Sequence, residues 1–151
     1  MSDYTIRIIE HGTPEYEETV ALRNDILRKP LGLIFTPEQL GAEGSDHHVA
    51  CYDHDRLVGC LILTPLAGGD LKMRQVAVAA DRQGGGIGRA MVVFSERFAR
   101  EHGFARIVLN ARESAAPFYD RLGYTRHGEP FEEVTIPHWR MTKAISAPRP
   151  A

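Results

Sequence analysis

The stretch Asp81-Arg82-Gln83-Gly84-Gly85-Gly86-Ile87-Gly88-Arg89 limits what this chain can fold into more than any other. It is glycine-rich and basic, and it joins a strand to a helix. Leu71 to Val78 reads as the strand. Behind the loop, Ile87, Met91, Phe94 and Phe98 recur at helical spacing until Gly103 stops the helix. Ile107-Val108-Leu109-Asn110 then reads as a short buried strand. Two strands joined through a helix pair in parallel by a right-handed crossover. Glycines at 84, 85, 86 and 88 let the backbone take positive φ and come close to a ligand. The unbonded N–H groups of the first helical turn, with the helix dipole, suit an anion there. Arg82 and Arg89 flank the loop, and a pyrophosphate fits this description.

The remaining chain surrounds this unit with antiparallel pieces. Thr5 to Ile9 reads as an opening strand, with Ile6 and Ile8 on one face. Thr13 caps a helix with Pro14 at its first position and Glu15, Glu17 and Glu18 in its first turn. The pattern carries this helix to about Arg28, before Pro30. Thr36-Pro37-Glu38-Gln39 is a capping box for a short second helix. His48 to Tyr52 and Leu57 to Leu63 flank the polar turn Asp53-His54-Asp55-Arg56 as a hairpin. Ser114 to Leu122 reads as a helix with Ala115, Phe118 and Leu122 on its apolar face. Tyr124 to His127 and Val134 to Ile145 are the last strands. The expected fold is α+β, a mixed but mostly antiparallel twisted sheet of six to seven strands with about four helices.

Composition narrows the function. The chain has 151 residues, 43% hydrophobic and 25% charged, as expected for one globular domain. We read residues 1–145 as that domain and Ser146 to Ala151 as a Pro-rich tail. The net charge of −2 argues against nucleic acid as a partner. The start, Met1-Ser2-Asp3-Tyr4, does not resemble a signal peptide, and there is no apolar run of membrane-spanning length. A cytoplasmic protein without a membrane partner is expected. Cys51 and Cys60 read as reduced core thiols that could face each other across two strands. No ligand set suggests a metal; the adjacent His47 and His48 have no nearby carboxylate ligands.

Among phosphate motifs, the loop lacks the Gly-Lys-Ser/Thr of a P-loop. It also fails the third glycine of the dinucleotide fingerprint and lies too late in the chain for one. Gln83-Gly84-Gly85-Gly86-Ile87-Gly88 instead resembles the Q/R-x-x-G-x-G/A acetyl-CoA loop of the GNAT N-acetyltransferases. Arg74-Gln75-Val76-Ala77-Val78 resembles that family's fourth strand. Ala115-Ala116-Pro117-Phe118-Tyr119-Asp120-Arg121-Leu122-Gly123-Tyr124 resembles its A-x-x-F-Y-x-x-x-G-F/Y segment. The three blocks stand in the family's order and spacing, and the likeness runs from Tyr4 to Lys143.

This resemblance implies acetyl-CoA as co-substrate, lying in a splay between the strand ending at Val78 and the strand at 107–110. Its pyrophosphate would sit on the backbone N–H groups of residues 83–89, that is Gln83, Gly84, Gly85, Gly86, Ile87, Gly88 and Arg89, with Arg82 a further expected cofactor contact. Its pantetheine would pair with the backbone of Val76, Ala77 and Val78, whose N–H groups would polarise the thioester carbonyl. Tyr119 stands at the family's general-acid position, where a phenol can protonate the leaving thiolate. Ala115 and Phe118 belong to the same cofactor-side segment. Many members carry Asn three residues before that segment's Ala; here Arg112 stands there and Asn110 lies two residues earlier on the same strand face. Both are expected cofactor contacts.

The acceptor amine must lose a proton before it attacks. Glu132, Glu133, His138, His47 and His48 are the candidate bases. Glu133 and His138 are favoured, the latter because Pro137 suggests a strand irregularity that would re-aim it. Alternation points only one of Glu132 and Glu133 into a cleft. The acidic first turn of the N-terminal helix favours a cationic acceptor, a small-molecule or peptide amine. The rival reading is a non-catalytic acyl-CoA-binding sensor or regulatory module using the same loop. A homodimer paired through the last strands is a further expectation.

Overall fold

The computed structural model describes residues 4–145; the Pro-rich tail at 146–151 lies outside the described residues. Seven strands and four α-helices follow the expected order. They are β1 (Tyr4–Ile9), α1 (Pro14–Arg23), α2 (Pro37–Gly41), β2 (His47–Asp53), β3 (Arg56–Pro65), β4 (Asp70–Val78), α3 (Ile87–Glu101), β5 (Arg106–Arg112), α4 (Ala116–Arg121), β6 (Thr125–Glu133) and β7 (Ile136–Ala144). The sheet order is β1-β2-β3-β4-β5-β7-β6. No helix among the described residues is long and apolar enough to cross a membrane. The chain divides into two compact units, Met1–Thr64 with Gln75–Ser95 and Pro65–Arg74 with Glu96–Ala151.

In the first unit, Thr13 caps α1 by accepting from the Tyr16 N–H, with Pro14 in the first turn. The α-helical geometry ends at Arg23. Asn24–Arg28 continues as a single π-helical turn, and Lys29–Leu31 as a 3-10 turn closed by Gly32 at φ 70°. Hydrophobic spacing cannot separate these geometries, so the sequence pattern ran through them as one helix. The Thr36 capping box forms as expected, with Thr36 and Gln39 bonding reciprocally. β1 and β3 each pair antiparallel with β2.

The β2–β3 register sets Ala50 opposite Cys60 and Cys51 opposite Gly59. The two thiols therefore point to opposite faces of the sheet, contrary to the expectation that they could face each other. Both are free and buried, and burial pushes Cys51 up to about 11 and Cys60 up to about 12. Gly59 has a packing reason. A Cβ there would stand 2.8 Å from Ile87 Cγ2 and 3.0 Å from Met91 Cε, so the β3 backbone touches the α3 face directly.

In the second unit, β4 and β5 pair in parallel from Asp70↔Arg106 to Met73↔Leu109. A bidentate Arg106–Asp70 pair, with N···O distances of 3.1 and 2.8 Å, marks the start of that ladder. β7 pairs antiparallel with both β5 and β6. β6 is nine residues long, well beyond the expected Tyr124–His127. Val134 and Thr135, expected to begin a strand, are the two-residue turn, at φ 46° and 63°. β-branched residues rarely take these angles, which hid the turn. Glu132 and Glu133 therefore end β6. The strand irregularity lies in β6 between His127 and Phe131, while His138 is a regular member of β7. On α4 the buried residues are Ala116 and Tyr119, whereas Ala115, Phe118 and Leu122 are only half-buried.

Gly59→Ala should overpack the β3–α3 contact. We expect a loss of about 1–3 kcal/mol, which for a chain of this size lowers the Tm by roughly 2–12 °C. Calorimetric unfolding checks this, and an unchanged Tm would show that Ile87 and Met91 yield freely.

Candidate active site

The glycine loop belongs to the first unit. Gln75 takes φ 52°, a left-handed residue inside β4. After it the chain resumes strand alternation, with Ala77 buried and Val76 and Val78 half-buried. The Ala79 N–H donates to the Val58 carbonyl, and the Arg82 N–H closes a tight turn on the Ala79 carbonyl. Gln83 Nε2 donates to the Val78 carbonyl at 3.1 Å, tying the loop to the strand end. Gly84 at φ 80° and Gly86 at φ 89° require glycine, and a Cβ on either would meet nothing within 4 Å.

The first i→i−4 bond of α3 runs from the Ala90 N–H to the Gly86 carbonyl. The N–H groups of Ile87, Gly88 and Arg89 thus lie in the turn that has no intrahelical acceptor. The Ile87 side chain is buried, so only its backbone is available to a ligand. An open glycine corner in front of a first helical turn fits a pyrophosphate, and so fits the nucleotide end of CoA.

The flanking arginines differ in use. Arg82 Nη1 holds Asp53 Oδ2 at 2.7 Å, and Arg56 binds Asp81 in bidentate fashion at 2.8 and 2.7 Å. The Arg82 hydrogen bond keeps the Asp53 carboxyl below its usual range. Arg82 therefore pins the loop to the β2–β3 hairpin, while Arg89 is exposed at the helix start.

The same unit contains a cluster that sequence reasoning did not reach. Arg23 and Glu43 form a buried bidentate pair, their side chains 1% and 4% exposed. Arg23 Nη1 bonds Glu43 Oε2 at 2.8 Å and Gln75 Oε1 at 2.9 Å, and Nη2 bonds Glu43 Oε1 at 2.8 Å. The Tyr16 hydroxyl donates to Glu43 Oε1 at 2.7 Å. Burial opposes ionisation of Glu43, yet the Arg23 and Tyr16 hydrogen bonds prevail and hold its carboxyl low. One sequence signal pointed here: Tyr16, Thr19 and Arg23 share one helical face, so a cation continues a buried stripe.

His48 sits beside this cluster. Its Nε2 lies 2.9 Å from the Glu43 carbonyl, and burial lowers its pKa. Among the described residues no group of three or more His, Cys, Asp or Glu could hold a metal ion.

The second unit carries the expected acid and bases. Tyr119 is 6% exposed. Its ring meets Phe118 and Tyr124 edge-on, at centroid distances of 5.0 and 5.6 Å. Burial alone pushes its phenol up to about 12, so it stays protonated at neutral pH. Ala115 ends the 3-10 turn that leads into α4.

Glu133 and His138 come together. Glu133 Oε2 lies 3.5 Å from His138 Nε2, while Glu133 Oε1 accepts from Asn110 Nδ2 at 3.3 Å. His138 is buried, with Nδ1 2.7 Å from the Ile136 carbonyl, and its ring stacks on Phe131. The register sets Arg112 opposite His138, on the same sheet face as Asn110. Glu132 is opposite Pro137 and so takes the other face, which leaves Glu133 as the carboxylate beside His138.

Comparison with known proteins gives a consistent picture. The family model described as "Acetyltransferase (GNAT) domain" matches residues 35–145. The uncharacterized N-acetyltransferase YjcF of Bacillus subtilis is 25% identical over 137 residues, covering 90% of this chain and 97% of that protein. Among solved structures, the ribosomal-protein-S18-alanine N-acetyltransferase of Escherichia coli aligns with a TM-score of 0.79 and 16% identity, covering 97% of this chain and 96% of the other. An aminoglycoside 6'-N-acetyltransferase complexed with coenzyme A gives a TM-score of 0.77 and 21% identity, covering 97% and 99%. At such identities these two structures establish a shared fold.

The buried phenol makes a pH-dependent signature. Its pKa rises from 10.0 to about 12 on folding. Its contribution to stability is therefore complete below about pH 10 and is lost as the pH climbs to about 12. In urea titrations, Tyr119→Phe should lose about 2–3 kcal/mol less than the parent across that window. Equal losses would mean that the phenol ionises as it does in water.

Proposed function

The chain belongs to the GNAT acetyltransferase family, and from that premise we propose that it moves an acetyl group from acetyl-CoA to a primary amine of a small molecule or peptide by direct attack on the thioester. The observation that carries this reading is the corner at Gly84 and Gly86, open to a ligand and placed before the unbonded N–H groups of the first turn of α3. Bound acetyl-CoA supplies an activated acyl group on a leaving thiolate. The work of this chain is to hold, orient and exchange protons.

The backbone of residues 83–89 holds the pyrophosphate, helped by the helix dipole and the exposed Arg89. Arg82 acts indirectly, by fixing the loop through Asp53. The backbone of Val76, Ala77 and Val78 binds the pantetheine arm in extended form. An N–H from this segment aimed at the thioester oxygen is worth about 3 kcal/mol as charge develops there. Positioning of the two reactants contributes much of the remaining rate.

Tyr119 is the general acid. Its phenol is protonated well above neutral pH, so it can deliver a proton when the thiolate departs. Glu133 and His138 act on the amine side. Donation from His138 Nδ1–H to the Ile136 carbonyl leaves Nε2 as the ring nitrogen that exchanges a proton, next to Glu133. Asn110 orients that carboxylate. Arg112, Ala115 and Phe118 complete the cofactor side. The acidic start of α1, Glu15 and Glu17, favours a cationic acceptor.

Thermal unfolding with acetyl-CoA, CoA, ATP and NAD in parallel tests the reading. At a hundredfold excess over Kd, acetyl-CoA should stabilise the protein by about 2.7 kcal/mol. The nucleotides lacking pantetheine should do much less. Across a panel of amines, Tyr119→Phe should lower turnover roughly 10²–10⁴-fold while leaving CoA binding intact. An absent shift with both acetyl-CoA and CoA would remove the loop assignment. A clear shift with no amine turned over would favour a sensor module.

A further inference from the structure

We propose that Arg23 is a positioning residue for the transfer reaction: acting through Gln75, it holds the left-handed turn in β4 that aims the backbone N–H groups of Val76 to Val78. This inference rests on the reading that those groups receive the pantetheine and thioester.

Gln75 sits at φ 52°, a conformation sparsely used by any residue with a side chain. It occurs two residues after the β4–β5 ladder ends at Met73↔Leu109. A residue held there against its own preference needs its surroundings to fix it. Arg23 supplies the fix. Its Nη1 reaches Gln75 Oε1 at 2.9 Å while the same guanidinium grips both oxygens of Glu43.

Further contacts hold the pair in place. The Tyr16 hydroxyl donates to Glu43, and the Glu43 carbonyl meets His48 Nε2. The guanidinium carbon lies 4.9 Å from the Phe35 ring centroid and 5.9 Å from that of Tyr16. Gln75 is thus attached to a buried cluster drawn from α1, the turn after α2 and β2.

Two features argue for aiming over simple cohesion. A buried ion pair is seldom the most stable filling of such a space, because well-packed apolar residues serve as well or better. Arg23 Nε is also buried with no hydrogen-bond partner, so the side chain is not placed to satisfy its own donors. What a planar guanidinium supplies is direction, with donors fixed in one fork. Here that fork spends one arm on the only left-handed residue of the strand that leads into the glycine loop.

The test uses Gln75→Met, which removes the acceptor but leaves the Arg23–Glu43 pair whole, and Gln75→Glu, which restores an acceptor. Arg23→Lys, which keeps the charge but loses the fork, joins them if it folds. Three quantities are measured: amide hydrogen exchange at Val76, Ala77 and Val78, the Kd for acetyl-CoA, and the Kd for 3′-phospho-ADP, the nucleotide end that meets only the loop. In Gln75→Met we expect exchange at those amides to rise, and acetyl-CoA binding to weaken, by about tenfold each. Binding of 3′-phospho-ADP should stay as in the parent, and Gln75→Glu should recover most of the loss.

A folded Gln75→Met that matches the parent in amide exchange and in acetyl-CoA affinity would overturn the inference. So would an equal loss for both ligands, which marks general loosening. A parent protein that binds neither ligand would instead overturn the cofactor reading, and this inference with it.

Discussion

Two opposite charges taken fully out of water impose the strictest demand in the first unit. Each ion costs several kcal/mol to bury, and the cost is offset only when the pair's geometry is good and further hydrogen bonds reach it. Glu43 meets that demand with three donors: two from Arg23 and one from Tyr16. Those bonds tie together pieces far apart in the chain. They fix the rotation of α1, because Tyr16 and Arg23 must both point inward. They fix the 3-10 turn Ala42–Ser45, because Glu43 must reach them. Through His48 and Gln75 they reach β2 and β4. A strand pair alone would not dictate where a left-handed residue falls in β4. The buried pair gives that residue's side chain a single partner and a single direction.

The glycine corner shows how charge is divided between structure and ligand. Arg56 with Asp81 and Arg82 with Asp53 form two pairs at the base of the loop, while Arg89 stands exposed at the helix start. Pairs at or near the surface add little stability one at a time. Their effect is geometric: two successive residues of the tight turn Ala80–Arg82, Asp81 and Arg82, are held just before the glycines. On the proposed reading, a ligand then meets backbone N–H groups and the helix dipole, which need no side-chain ordering at the moment of binding, with the exposed Arg89 beside them.

Much of this architecture was legible because local chemistry announced it. Thr13-Pro14, the Thr36–Gln39 box, the Asp53–Arg56 turn and the glycine run each satisfy specific backbone groups, and all formed where the residues indicated. What stayed hidden depended on partners distant in sequence. The π turn after Arg23 follows no hydrophobic period. Val134 and Thr135 read as strand formers, and only the two strands that clasp them force them into a turn. On α4 the apolar stripe suggested Phe118 inside, but the helix is one short turn and its neighbours bury Tyr119 instead. Arg23 and Glu43 had no motif at all, and Gln75 was read only as a strand residue; a cation on a buried helical face was the sole trace.

The base candidates illustrate the same limit in functional terms. From the sequence, Glu133 and His138 were competing assignments, one near the end of a strand and the other beyond a proline. The hairpin turn at Val134-Thr135 folds one back onto the other, and β5 contributes Asn110 to the same carboxylate. They form one cluster, in which His138 is fixed by the Ile136 carbonyl and Glu133 by Asn110, with 3.5 Å between them. Asking which of the two is the base is therefore incomplete. Truncating either removes a neighbour of the other, and their effects cannot add as independent sites would. On the proposed reading, the unit of proton handling on the acceptor side is the pair, assembled by a turn whose residues no local rule would have placed there.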